Sequence, residues 1–263
     1  MEQINFFTRF LKRDQLFILI GVFALAALSW AYIINLSSMS SNPANSMIES
    51  VAMPQMSQWN IKDAMAAAIM WSVMMLAMML PSAMPMILVF SAVNRKRHSL
   101  GNMFVPVWIF VFGYILVWAG FSLVAALIQF GLRNFALIST EIRIINPILS
   151  GVVLIAAGAY QFTPIKNVCL KNCQSPLGFI MGNWQEGKLG AFVMGLQHGL
   201  YCVGCCWILM LLLFVAGVMN LLWISIIAIF IFMEKLAPLS NLLSRIAGAL
   251  FVAWGLALIT KFI

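Results

Sequence analysis

Four residues on one apolar run carry the strongest chemical signal in the chain: His198, Cys202, Cys205 and Cys206. In a helix turning about 100° per residue, Cys202 lies about 40° from His198 and Cys205 about 20° on its other side. Three potential ligands then share one narrow face, with Cys206 at its edge. Imidazole and thiolate are soft to borderline donors suited to copper, with zinc as the other candidate. An ionisable side chain at membrane depth is costly unless something pairs with it. Gln197 and Tyr201 lie beside the histidine and are expected to orient its ring. The plain alternative is a histidine hydrogen-bonded to a neighbouring helix among inert buried thiols.

Methionine forms a second cluster. Of 19 methionines, Met65, Met70, Met74, Met75, Met78, Met79, Met84 and Met86 fall within 22 residues. Met74 and Met78, and likewise Met75 and Met79, are four apart and stack on one helix face. Their thioethers suit Cu(I), whereas the plain reading makes them flexible fillers of irregular apolar gaps. Cys169 and Cys173 form a third, weaker signal. In a reducing compartment they stay thiols, able to hold Cu(I) or Zn(II). Glu234 and Lys235 read as a pair or an interfacial helix anchor.

Apolar segments must position these groups. The chain of 263 residues is 63% hydrophobic and 8% charged, against about 25% charged in a soluble domain. So few charges cannot cover a water-soluble surface. The runs predict an all-α, polytopic transmembrane helix bundle with six or seven spans, forming one membrane domain over 1–263. The segments are Leu16–Leu36, Ala64–Val93, Met103–Leu132, Pro147–Phe162, Ala191–Gly217, Leu221–Met233 and Leu242–Thr260. Segments 147–162 and 221–233 are short for a hydrocarbon core of about 30 Å, so their crossing stays open. Residues 1–15 precede the first span. Residues 37–62 form a loop with Met39, Met47, Met53 and Met56, and residues 165–188 form a loop with Cys169 and Cys173. Pro81 is expected to kink the second span. Gly195, Gly199 and Gly204 leave room for a close helix neighbour, and the methionine-rich second span is the expected one.

Net charge is +8, but the basic residues sit in short clusters between apolar runs, not in a nucleic-acid-binding stripe. Eleven of them (Arg9, Lys12, Arg13, Arg95, Lys96, Arg97, Lys166, Lys171, Lys188, Lys235 and Arg245) fall on the side of the N-terminus. Four (Lys62, Arg133, Arg143 and Lys261) fall on the other. The positive-inside rule then puts the N-terminus and the 165–188 loop in the cytoplasm, and the 37–62 loop and the C-terminus outside. If a short segment does not cross, the far end inverts.

The stretch from Met74 to Ser82 (MMLAMMLPS) resembles the first signature of a known family. So do Tyr160 to Lys166 (YQFTPIK), Cys169 with Cys173, Ser175 to Gly178 (SPLG) and His198 to Trp207 (HGLYCVGCCW). The family is the bacterial predicted metal-binding integral membrane proteins, also described as biotransporters; copper delivery to tyrosinase-like enzymes is proposed for some members. The resemblance spans about Met65 to Lys235. It implies a multi-pass protein of the bacterial cytoplasmic (inner) membrane that binds a metal. It implies no catalytic activity.

The leading expectation is therefore copper transport or membrane-bound copper delivery. Outer methionines would collect the ion, the Met and Cys/His faces would pass it on, and release would occur near Cys169 and Cys173. A copper-dependent enzyme or a soluble chaperone would receive it; lipid surrounds the chain, and a homo-oligomer is open. No nucleotide-binding glycine-rich loop is present for ATP-driven pumping. The rival is a membrane thiol–disulfide oxidoreductase using Cys202 and Cys205, with Cys169 and Cys173 exchanging. A haem or quinone protein has less support, since only His198 and His98 are available.

Overall fold

The computed structural model describes residues 13–40, 61–101, 103–139, 142–237 and 239–261. Arg9, Lys12, Met47, Met53 and Met56 lie outside the described residues, as do the side chains of Arg13 and Met39. Among the described residues the regular elements are all helices, with one isolated bridge between Ile138 and Ile144 in the α3–α4 connection. In chain order the helices are α1 (Arg13–Ser40), α2 (Ile61–Ser99), α3 (Val107–Asn134), α4 (Pro147–Gln161), α5 (Pro164–Gln174), α6 (Pro176–Gly182), α7 (Gly187–Ala216), α8 (Leu221–Leu236) and α9 (Ser240–Thr260).

Local chemistry sets the breaks. Asn146 accepts from the amides of Ile148 and Leu149 at 2.9 and 3.1 Å, and Pro147 opens α4. Thr163 caps α5 in the same way, with Pro164 in the first turn. A side-chain acceptor followed by proline ends one helix and starts the next, so α4 and α5 meet at a 63° bend. Asn220 caps α8 after the Gly217 turn, where φ is +98°. That short turn makes α7 and α8 the expected antiparallel hairpin.

Among the described residues five helices are long and apolar enough to cross a membrane: α1, α2, α3, α7 and α9; α4 with α5 makes a sixth if the bent pair is one span. The sixth expected segment, Leu221–Met233, becomes α8 with 16 residues, or about 24 Å at 1.5 Å per residue, less than the hydrocarbon core. Helix α2 runs unbroken through Pro81 and Pro85. Proline at 81 cannot donate to the carbonyl of Ala77, and the Trp30 indole of α1 takes that place at 3.2 Å.

Two tight crossings organise the bundle, α3 against α7 and α4 against α9. A Cβ on Gly195 would lie 2.1 Å from the Phe110 carbonyl oxygen, and one on Gly199 would lie 2.9 Å from Val117. Small residues let the two backbones touch, which is how helices associate where lipid offers no hydrophobic drive. The expected neighbour of Gly195, Gly199 and Gly204 is α2; Gly195 and Gly199 face α3 instead, and Gly204 faces Cys169 of α5. Helix α2 reaches α7 through side chains, Met79 against Cys206 and Trp71 against Phe214.

Candidate metal centre

Helix α7 stays continuous from Gly187 to Ala216, so His198, Cys202, Cys205 and Cys206 keep the shared face expected of them, and all four are buried. Met74, Met75, Met78 and Met79 of α2 are buried too, at 0–3% exposure. The two clusters meet at one point, where Cys206 Sγ lies 3.9 Å from Met79 Sδ. Met65, by contrast, is exposed on the outer face of α2.

Cys202 is the hub. Its Sγ lies 2.9 Å from the Lys235 ammonium of α8 and 3.2 Å from the Tyr114 hydroxyl of α3. Tyr114 also donates to the Met79 carbonyl at 3.1 Å, and Lys235 donates to Ser82 Oγ of α2 at 2.8 Å. Cys205 and Cys206 both turn their thiols back onto the Cys202 carbonyl at 3.0 Å. Side chains of α3 and α8 thus meet at the Cys202 sulfur of α7, and both are tied in turn to α2. Every thiol here already has a protein partner, and among the described residues no three His, Cys, Asp or Glu side chains form a ready-made metal cage. Ion binding would require those thiols to rotate away from their present partners.

Cys169 and Cys173 are not in an open loop. They lie on α5, which packs along α7. Cys173 reaches the thiols of Cys202 and Cys205, and a Cβ on Gly204 would come within 2.7 Å of Cys169 Sγ. All five cysteines, none in a disulfide, therefore converge on the middle of α7. The α4–α5 bend is what carries the second cysteine pair there. From sequence, the 23 residues between Cys173 and Gln197 gave no reason to bring the pairs together.

His198 sits in an aromatic box made by Phe110, Tyr114 and Phe179, with ring centroids 5.4–6.1 Å away. Neither ring nitrogen has a hydrogen-bond partner. Gln197 and Tyr201 do not orient the ring as expected. The Gln197 carbonyl oxygen is itself unpartnered, and Tyr201 packs edge-on against Phe179. One turn of helix separates His198 from Cys202, which leaves the imidazole at the edge of the sulfur cluster.

Glu234 and Lys235 do not pair with each other. Neighbours on a helix point about 100° apart, so Glu234 turns to Lys166 of α5 at 2.5 Å and to Ser244 of α9 at 2.5 Å. Lys166 is fully buried and also bonds Gln161. This buried ion pair ties the cysteine-bearing α5 to the lysine-bearing α8. Sequence reading missed Tyr114 and the partner of Lys235, and held Ser82 and Lys166 only as the ends of two motifs without a role; the cost of placing ionisable groups in apolar runs was the signal for the lysines. Lys166 and Lys235 had counted as topology charges. With both buried, nine of the eleven remain against four.

No curated protein and no solved structure matches the chain. The family model described as "PpoB2: Copper chaperone" matches residues 68–258, from the first turns of α2 nearly to the end of α9. That span includes His198, all five cysteines and Met74, Met75, Met78 and Met79, though not Met65, and this chain belongs to the PpoB2 copper chaperone family.

Proposed function

We propose that the chain binds Cu(I) as cargo inside the bacterial cytoplasmic membrane and delivers it to a copper-dependent enzyme, without catalysing a reaction itself. The proposed ligands are Met79, Cys202 and Cys206, with Cys205 and Cys173 within one side-chain rotation. The observation that carries this reading is the contact between Cys206 Sγ and Met79 Sδ, which joins a thioether helix to a thiol helix at the hub cysteine. Thiolate and thioether together select a soft monovalent ion over a harder one, so copper is favoured over zinc. Met74, Met75 and Met78 extend the thioether face along α2 as lower-affinity stations. Cys169, further along α5, offers a station beyond the hub, and His198 a donor one turn away. Exchange among several soft donors moves the ion without a deep trap. In the proposed orientation the N-terminus is cytoplasmic.

The test is Cu(I) titration of the purified protein in detergent under reducing conditions, against a chromophoric chelator. Stoichiometric uptake is expected. Cys202→Ser is expected to weaken binding more than about 100-fold, about 2.8 kcal/mol, while Met79→Leu costs about tenfold because neighbouring thioethers substitute. A wild-type protein that takes up no Cu(I) overturns the proposal. The approach of Cys173 to Cys202 favours a second reading, thiol–disulfide exchange. A Cys173–Cys202 disulfide that forms and reduces in cells, with function unaffected by Met79→Leu, would support that reading instead.

A further inference from the structure

We propose that Lys235 is a built-in competitor for the copper site: its ammonium occupies Cys202 Sγ in the ion-free protein, must withdraw when Cu(I) binds, and so keeps the ion releasable. This rests on the copper reading above. Lys235 is 6% exposed, and its Nζ meets two groups, Cys202 Sγ at 2.9 Å and Ser82 Oγ at 2.8 Å. The nearest carboxylate in sequence, Glu234, is committed elsewhere, to Lys166 and Ser244. The cation therefore has a sulfur ligand as its charge partner in place of a carboxylate. A structural lysine at this depth would be expected to pair with an acid, and one is present a single residue away but points to the other side of α8.

Electrostatics gives the consequence. An ammonium 2.9 Å from the sulfur stands where a cation bound to that sulfur would feel it strongly, and two like charges repel steeply in a low-dielectric interior. Copper and Lys235 cannot both sit on Cys202. The lysine has a second anchor, Ser82, on the methionine-bearing α2, so it can swing off the sulfur without losing every hydrogen bond. When the ion leaves, the ammonium returns and the sulfur is not left as an unpaired charge in hydrocarbon. A delivery protein needs this property more than it needs affinity, because a site that wins every competition cannot hand its cargo on.

The experiment compares wild type, Lys235→Met, Lys235→Gln and Lys235→Arg, each purified in detergent. Cu(I) affinity is measured against a chromophoric chelator, and release is timed after adding chelator in excess. Both neutral variants are expected to bind one Cu(I) at least tenfold more tightly and to release it at least tenfold more slowly. Lys235→Arg, which keeps the charge, should stay near wild type. Lys235→Arg disturbs the packing while keeping the charge, so the contrast between it and the two neutral variants separates competition from structural support. Equal or weaker binding in Lys235→Met and Lys235→Gln, with wild type binding normally, overturns the role of Lys235 and leaves the copper reading standing. Absence of Cu(I) binding by wild type overturns the copper reading itself. Lys235→Gln keeps a donor for Ser82, so it serves if the methionine variant fails to fold.

Discussion

His198 spends neither ring nitrogen on the protein, although its side chain is 3% exposed. A buried polar group without a partner costs about 1–3 kcal/mol, and the aromatic box of Phe110, Tyr114 and Phe179 would hold a phenyl ring equally well. His198→Phe is therefore expected to leave the ion-free melting temperature unchanged or raised. Its copper-induced rise in melting temperature should be smaller than that of wild type, because a donor at the edge of the cluster is gone. A variant that melts far lower with an unchanged copper shift would make the ring purely structural. The residue scale also shows where sequence spacing sufficed and where it did not. The common face of His198, Cys202 and Cys205 follows from helical geometry alone. Lys235 on Cys202, Tyr114 on Met79 and Cys173 beside Cys205 join residues 30 or more apart, and no local rule relates them.

At the level of elements, the α3–α7 crossing decides whether Tyr114 can reach Cys202. Gly195→Ala would drive a Cβ onto the Phe110 carbonyl, so the backbones must separate. Overpacking of this kind costs about 1–3 kcal/mol, and a lower melting temperature with weakened Cu(I) binding is expected. Gly120, on the open side of α3, has nothing within 4 Å of its Cβ position, and Gly120→Ala should change neither quantity. The α5–α8 tie makes a second element-scale prediction. Lys166→Met leaves Glu234 buried with its charge uncompensated, which costs about 3–5 kcal/mol. The double variant Lys166→Met with Glu234→Leu removes both charges and should recover much of that loss, as read by thermal melting in detergent. No recovery would mean that the pair fixes the α5 position in a way that apolar packing cannot replace.

For the whole molecule, orientation is the open property that one measurement decides. Arg95, Lys96 and Arg97 end α2, where Arg97 bonds Glu186 and stacks 4.8 Å over the Trp184 ring just before α7. A reporter fused at Lys96 is expected to read as cytoplasmic, and an external reading would invert the proposed path of the ion. The amino-acid sequence by itself determined the helical membrane class, the approximate segments and the donor-rich face of α7. Each depends on composition and on a period of 3.6 residues, both local properties. It marked α4 from Pro147 but read 165–188, where α5 and α6 form, as a loop, because that stretch has no long apolar run to announce a helix. Only the tertiary structure decided which helix meets the glycine face and that the Cys169–Cys173 pair folds back onto Cys202. It alone decided that Glu234 and Lys235 point to different partners. Those outcomes depend on how close two backbones can come and on where a buried charge finds its counterpart, and both quantities exist only once distant segments are side by side.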